Sequence, residues 1–190
     1  MASFINSVSD VQYNGRFVKK GELDPQIDSV MFNSPVGTVV GPFNRENGLV
    51  VSRLMDVQMR PDSLRASHIL VAYKGAMRVS PDVTLTLEQA QQKADSLLQI
   101  VRRTPARFEE LAMQFSTDPS AQTNKGDLNW FADGAMVPEF NEAVVNGKVG
   151  DMLVVKSDFG YHVIHITGKT APEKRVQLAE VFLNVEPSDN

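Results

Sequence analysis

The residues of this 190-residue chain best suited to chemistry are three histidines, His68, His162 and His165, and an aspartate, Asp118, set in a Ser-Thr-Asp-Pro run. Cysteine is absent, which excludes disulfides, thiolate nucleophiles and thiolate metal sites together. Any catalysis must therefore rest on imidazole, carboxylate and hydroxyl groups, or on the shape of an apolar pocket. His162 and His165 lie three apart in a run, Tyr161 to Gly168, that reads as a strand. Side chains alternate faces along a strand, so these two point to opposite sides and cannot form one site. A metal would have to draw on His68, one of the other two and carboxylates, with no HExxH-type spacing in support, so neither metal nor cofactor is expected. For His68, flanked by Ile69 and Leu70, a satisfied buried polar group and a functional residue are both open readings.

These side chains need a scaffold, and the stretch from 64 to 170 has the pattern of one. Ala66 to Tyr73 has the apolar density of a buried strand. Lys74 to Leu85 reads as a loop. Thr86 followed by Gln89 three residues on is a capping-box pattern, and Ala90, Ala94, Leu97, Leu98 and Val101 recur at helical spacing until Pro105 ends the run. Ala106 to Phe115 predicts a second helix with Phe108, Leu111, Ala112 and Phe115 on one face. A short strand follows at Gly126 to Phe131, then a helix from Pro138 to Val145, then a hairpin of Met152 to Lys156 with Tyr161 to Gly168.

Three ordered motifs sit on that scaffold: His68-Ile69-Leu70-Val71; the stretch from Phe115-Ser116-Thr117-Asp118-Pro119-Ser120-Ala121 through Lys125-Gly126-Asp127-Leu128-Asn129-Trp130-Phe131 to Met136-Val137-Pro138-Glu139-Phe140; and Phe159-Gly160-Tyr161-His162-Val163-Ile164. In order and spacing they resemble the parvulin family of peptidyl-prolyl cis/trans isomerases. The resemblance implies an α+β parvulin fold, a four-stranded, mainly antiparallel sheet covered by about four helices. It implies a polar site of His68, His162 and Asp118 with Ser157 in support, and a proline pocket lined by Leu128, Met136 and Phe140 with Phe159 at its edge. From the residues alone, Leu128 reads better as plain core, and Met136 and Phe140 serve equally as core or pocket wall. The histidines could order the sheet or act electrostatically on the substrate.

Two departures stand out. Lys125 precedes Gly126 where the family usually has a glycine pair, and Asn129 takes a later glycine position; asparagine tolerates the left-handed backbone such a turn needs. The loop after Val71 offers only Lys74 and Arg78 in place of a basic cluster, so phosphate-directed specificity is not expected.

Residues 1 to 63 carry a partial repeat. Val36-Gly37 lies 113 positions before Val149-Gly150, and at the same offset Phe17, Gly21, Leu23, Pro25 and Ile27 fall on Trp130, Gly134, Met136, Pro138 and Phe140. After a one-residue slip, Gly48-Leu49-Val50-Val51 falls on Gly160-Tyr161-His162-Val163. The segment thus reads as the degenerate second half of a parvulin-like module: a strand near Arg16 to Lys19, a helix from Pro25 to Phe32 and strands at Thr38 to Phe43 and Leu49 to Met55. It contains no histidine and should be catalytically silent. Half a module cannot bury its own sheet. Within 171 to 190, Gln177 to Leu183 mirrors Arg65 to Val71 with Glu180 in the histidine's place, and is expected to complete the first module, with Pro61 to Ser63 as linker.

Composition bounds the partners. A net charge of −4 argues against a nucleic-acid surface. The start, Met1 to Asn6, lacks the basic and apolar regions of a signal peptide, and no run approaches the roughly 20 apolar residues of a membrane span, so no membrane contact is expected. Residues 186 to 190 break off at what reads as a helix start, as in an excised piece. By resemblance, the expected activity is isomerisation of X-Pro bonds in unfolded or extended polypeptides, in a periplasmic or cell-envelope foldase. The alternative is a chaperone with the same fold and little isomerase activity. A homodimer made by exchanging half modules stays open.

Overall fold

The computed structural model describes residues 2 to 185, so the helix start expected at 186 to 190 lies outside the described residues. Helix α1 (Ala2–Val8), strand β1 (Phe17–Lys19), helix α2 (Pro25–Asn33) and strands β2 (Val39–Arg45) and β3 (Gly48–Pro61) come first. Then follow β4 (Ser63–Val71), α3 (Leu87–Arg103), a 3-10 turn at Pro105–Arg107, α4 (Phe108–Phe115), α5 (Ala121–Asn124), β5 (Asp127–Ala132), α6 (Pro138–Asn146), β6 (Met152–Ser157) and β7 (Gly160–Lys169). Strand β8 (Pro172–Asn184) ends the described chain. No described helix is long and apolar enough to cross a membrane.

The chain divides into two compact units. The larger is continuous, Pro61–Ala171, and the smaller joins the residues up to Arg60 with those from Pro172 on. Pro61 to Ser63 is only a bend, since β3 runs to Pro61 and β4 begins at Ser63.

In the larger unit an antiparallel sheet in the order β5-β4-β7-β6 separates two apolar layers. Odd-numbered side chains of β4 and β7 (Ile69, Val71, Tyr161, Val163) pack against Ala90, Ala94, Leu97 and Val101 of α3 and Phe108, Leu111 and Ala112 of α4. Even-numbered ones (Leu64, Ala66, Ile164, Ile166) pack against Phe131 and against Phe140 and Val144 of α6. Period-two alternation therefore decides which row carries His68 and His162, namely the α6 row. Helix α3 begins where its capping box requires. Thr86 Oγ1 accepts from Gln89 N–H at 3.2 Å and Gln89 Oε1 accepts from Thr86 N–H at 2.9 Å, an arrangement worth about 1 kcal/mol. Pro138 opens α6 at the position where a missing N–H costs nothing. The expected helix at Ala106 is split: Pro105 opens a 3-10 turn and the α-helix starts at Phe108.

In the smaller unit the sheet order is β1-β8-β3-β2. Strand β8 pairs antiparallel with β1 through Phe17↔Gln177, Val18↔Val176 and Lys19↔Arg175. One face buries Ile27, Met31 and Phe32 of α2 against Leu54, Val176 and Leu178.

Candidate active site

Strands β4 and β7 place the two histidines diagonally. His68 pairs with Ile164 and Leu70 with His162, so the rings lie on one face, two positions apart. Diagonal neighbours on a sheet are within reach of ring side chains. His68 Nδ1 lies 3.2 Å from His162 Nδ1, and the rings stack at 5.5 Å between centroids with 18° between planes. The outer nitrogens are also engaged. His68 Nε2 is 2.9 Å from Asp118 Oδ2, and His162 Nε2 is 2.7 Å from Ser157 Oγ. The four residues form one chain, Asp118–His68–His162–Ser157, with both rings buried.

Each end of the chain is fixed by backbone. Asp118 Oδ1 accepts from the Ser120 N–H and hydroxyl, each at 2.9 Å. The segment before it is clamped to β4: Ser116 Oγ accepts from Leu70 N–H at 3.0 Å, and Thr117 N–H donates to the Leu70 carbonyl at 2.7 Å. At the other end Ser157 Oγ accepts from Phe159 N–H at 3.1 Å, because β6 turns into β7 there.

Electrostatics follows from this wiring. The hydrogen bond from His68 holds the Asp118 carboxyl well below the usual carboxylate range, against the opposing effect of burial and with help from Ser120. Burial, followed by the charge of His68 and opposed by Asp118, pulls His162 down to about 4. For one proton on each ring, donors and acceptors follow on chemical grounds. An ionised carboxylate only accepts, so His68 Nε2–H donates to Asp118. His68 Nδ1 then accepts from His162 Nδ1–H, and His162 Nε2 accepts from the Ser157 hydroxyl.

Beside this chain lies a cavity of about 360 Å³. Its walls include His68, His162 and Asp118 with Leu70, Met77 and Phe159. Met77 N–H donates to the Asp158 carbonyl at 2.8 Å, tying the 74–85 loop to the β6–β7 turn. Ser157 is buried and does not line the cavity, which does not suit a serine nucleophile. Among the predicted pocket residues, Phe159 lines this cavity, whereas Leu128, Met136 and Phe140 belong to the apolar cluster around α6. Phe140 links the two groups: its ring is edge-on to His68 at 5.8 Å and to His162 at 5.5 Å. Sequence reading missed Met77, Val79 and Val83 as cavity wall; their apolar character inside an otherwise polar loop is the signal that could have found them. His165, on the opposite face, packs on Phe108 and takes no part. No group of three or more metal-ligating side chains occurs among the described residues.

Comparison with known proteins matches residues 49–170 to a family described as the PPIC-type PPIASE domain. The Chaperone SurA of Pseudomonas putida is 28% identical over 163 residues, covering 85% of this chain and 37% of that protein. The Foldase protein PrsA of Geobacillus kaustophilus is 37% identical over 107 residues, covering 56% of this chain and 32% of that protein. The chain thus spans about a third of the length of these relatives. Among solved structures, the peptidyl-prolyl isomerase ESS1 from Candida albicans gives a TM-score of 0.52 at 28% identity over 56% of this chain and 63% of that one. TbPIN1 gives 0.50 at 32% identity over 56% and 98%.

Proposed function

The chain belongs to the PPIC-type PPIase domain family, the parvulins, and from that premise we propose that it catalyses cis/trans isomerisation of X-Pro bonds in unfolded or extended client polypeptides. The observation that carries this reading is the unbroken Asp118–His68–His162–Ser157 chain set against an open cavity on one side and Phe140 on the other. Isomerisation breaks no bond, so it needs no nucleophile. The barrier of roughly 18–20 kcal/mol is mostly lost amide resonance. Lowering it by about 5 kcal/mol gives nearly four decades of rate. Preferential binding of the twisted amide in a water-poor pocket can supply that, with the hydrogen-bonded imidazole pair as a fixed polar floor. In this reading the prolyl ring packs on Leu128, Met136 and Phe140, and the residues before it lie in the cavity under Met77 and Phe159.

The relatives named as chaperone and foldase support a place in protein folding, and by the family resemblance we take the cell envelope as the site of action. They also favour a second reading, a chaperone that holds clients with little catalysis. The smaller unit is the silent partner in either case, with Glu180 and Val50 at the positions of His68 and His162.

Exchange on a short Ala-X-Pro-Phe peptide series, followed by NMR or a coupled protease, tests the proposal. The chain should accelerate exchange, and His162→Ala and Met136→Ala should each suppress it. A parent chain no faster than buffer that still suppresses aggregation of an unfolded protein would overturn the enzyme in favour of the chaperone.

A further inference from the structure

On the face of the larger sheet opposite the two buried histidines, the apolar row of Ile69, Val71, Tyr161 and Val163 gives way to Arg65, Ser67, His165 and Thr167. Ser67 pairs with His165. Arg65 pairs with Gly168 and Ala66 with Ile166, which makes Thr167 the extra residue of a bulge. Strand β5 shifts register against β4 at the same level, between Arg65 and Ser67. Bulges re-aim side chains and are over-represented beside functional sites. Here they front a cavity of about 360 Å³, bounded on the helix side by Phe108 at the start of α4.

Around this cavity the charged groups are paired and the neutral ones are free. Arg65 Nη2 lies 2.6 Å from Asp127 Oδ2, and Lys125 Nζ 3.2 Å from Glu109 Oε2. Burial holds His165 below its ordinary value, so its ring is neutral at physiological pH. No described residue hydrogen-bonds to the side chains of Ser67, His165 or Thr167, all three of which line the cavity. Beside them stands Trp130, the chain's single tryptophan, 53% exposed. The six-membered end of its indole reaches across Gly168, where an added Cβ would lie 2.9 Å from Cη2 and 3.2 Å from Cζ2.

The smaller unit shows that the sheet does not need these polar groups. Its order β1-β8-β3-β2 corresponds strand for strand to β5-β4-β7-β6, and Val39↔Arg53 matches Met152↔His165. The Ser9-Asp10 turn meets β8 as Ser116-Thr117 meets β4: Phe182 N–H donates to Ser9 Oγ at 3.0 Å, and Leu70 N–H to Ser116 Oγ at 3.0 Å. In that frame Ala179 and Met55 stand at the positions of Ser67 and Thr167.

Two hydroxyls and a neutral imidazole, each able to give and to take a hydrogen bond, suit a neutral ligand rich in both kinds of group. The exposed indole adds a flat apolar surface that suits a C–H face. A sugar ring has both, hydroxyls at its rim and C–H bonds on its faces. An anion would meet Asp127 and Glu109, and a purely apolar ligand would strand the hydroxyls and the imidazole. We propose that this cavity and Trp130 form a binding site for a neutral glycan, with one ring laid on the indole and the hydroxyls of the next bonded to Ser67, His165 and Thr167. The site lies across the sheet from the proposed isomerase site and does not depend on it.

The test titrates the whole chain with cellobiose and with N,N′-diacetylchitobiose, following the fluorescence of Trp130, with sorbitol as a control that carries hydroxyls but no ring. A saturable change with at least one disaccharide, and binding of sorbitol about tenfold weaker or less, is the expected result. Thr167→Val and Ser67→Ala should each weaken disaccharide binding about fivefold, the worth of one hydroxyl hydrogen bond. Thr167 is exposed, so its substitution leaves folding intact and keeps the test valid should Ser67→Ala disturb the sheet. No saturable change with either disaccharide, an equal response to sorbitol, or binding that both variants leave unchanged overturns the proposal. So does tighter binding of an asparagine-containing tripeptide, since a polypeptide would then be the occupant.

Discussion

At the scale of the residue, His162 gives the chain a pH signature. Burial, then the charge of His68, draws it from 6.5 to about 4. Between these values the unfolded chain holds a proton that the folded ring does not, so stability is full above about pH 6.5 and falls as pH drops towards 4. A shift of this size corresponds to about 3 kcal/mol. Asp118, held low, adds a loss in the same direction that begins only at the ordinary carboxylate range and continues downward. Urea unfolding at about pH 7.5 and about pH 4.5 should show the difference, and His162→Asn should flatten most of it; an equal pH slope in the variant would place its source elsewhere. Ser157→Ala leaves His162 Nε2 and the Phe159 N–H without their shared partner. It should cost about 1–3 kcal/mol, read as a lower urea midpoint, together with a loss of the proposed isomerase activity in the peptide exchange assay. The identities of these residues are legible in the sequence through motif order. Their contacts are not, because the ring-to-ring approach depends on the register that sets Leu70, not His68, opposite His162.

At the scale of the element, the turn between α5 and β5 positions His68. Gly126 accepts the His68 N–H at 2.8 Å and has φ 86°. A Cβ there would lie 2.6 Å from the His68 carbonyl and 2.9 Å from Ala112 Cβ. Gly126→Ala should therefore cost about 2 kcal/mol or more, from left-handed strain and overpacking together, and displace the histidine it touches. Thermal unfolding and the histidine NMR resonances would report both, and an unshifted His68 signal would separate stability from positioning. Lys125, at φ 55° and ψ 28°, caps α5 in the left-handed region that favours glycine. Lys125→Gly gives up only an exposed ion pair with Glu109 and should gain about 0.5–1 kcal/mol in the same melts. Sequence patterning shows α3 well, because its cap and stripe are local. It does not show that the 76–83 loop becomes a cavity wall, since that rests on the Met77 bond to Asp158, far along the chain, and no periodicity encodes it.

At the scale of the whole molecule, the continuity of the two units differs, and their folding should differ with it. The larger unit is one uninterrupted segment with apolar layers on both faces of its sheet. Residues 61–171 alone should fold and match the whole chain within about twofold in the X-Pro exchange assay that tests the proposed activity, since every group of the proposed site lies inside them. The smaller unit depends on the chain's last described strand. Strand β8 lies between β1 and β3, and Val176 and Leu178 complete the core beneath α2. The 113-residue offset makes the α2 half of this repeat legible, whereas Ser9-Asp10 and Ser116-Thr117 lie 107 apart, and a change of offset hides kinship from a fixed-period search. A chain ending at Ala171 leaves β1 and β3 with unpaired backbone on facing edges and exposes Leu54 and Met31, which the complete unit buries fully. Hydrogen exchange on that shortened chain should show protection lost throughout β1 to β3 while β4 to β7 keep theirs. Protection lost equally in both sets would mean that the units fold as one, and would remove the basis for treating the smaller unit as a separate folding unit.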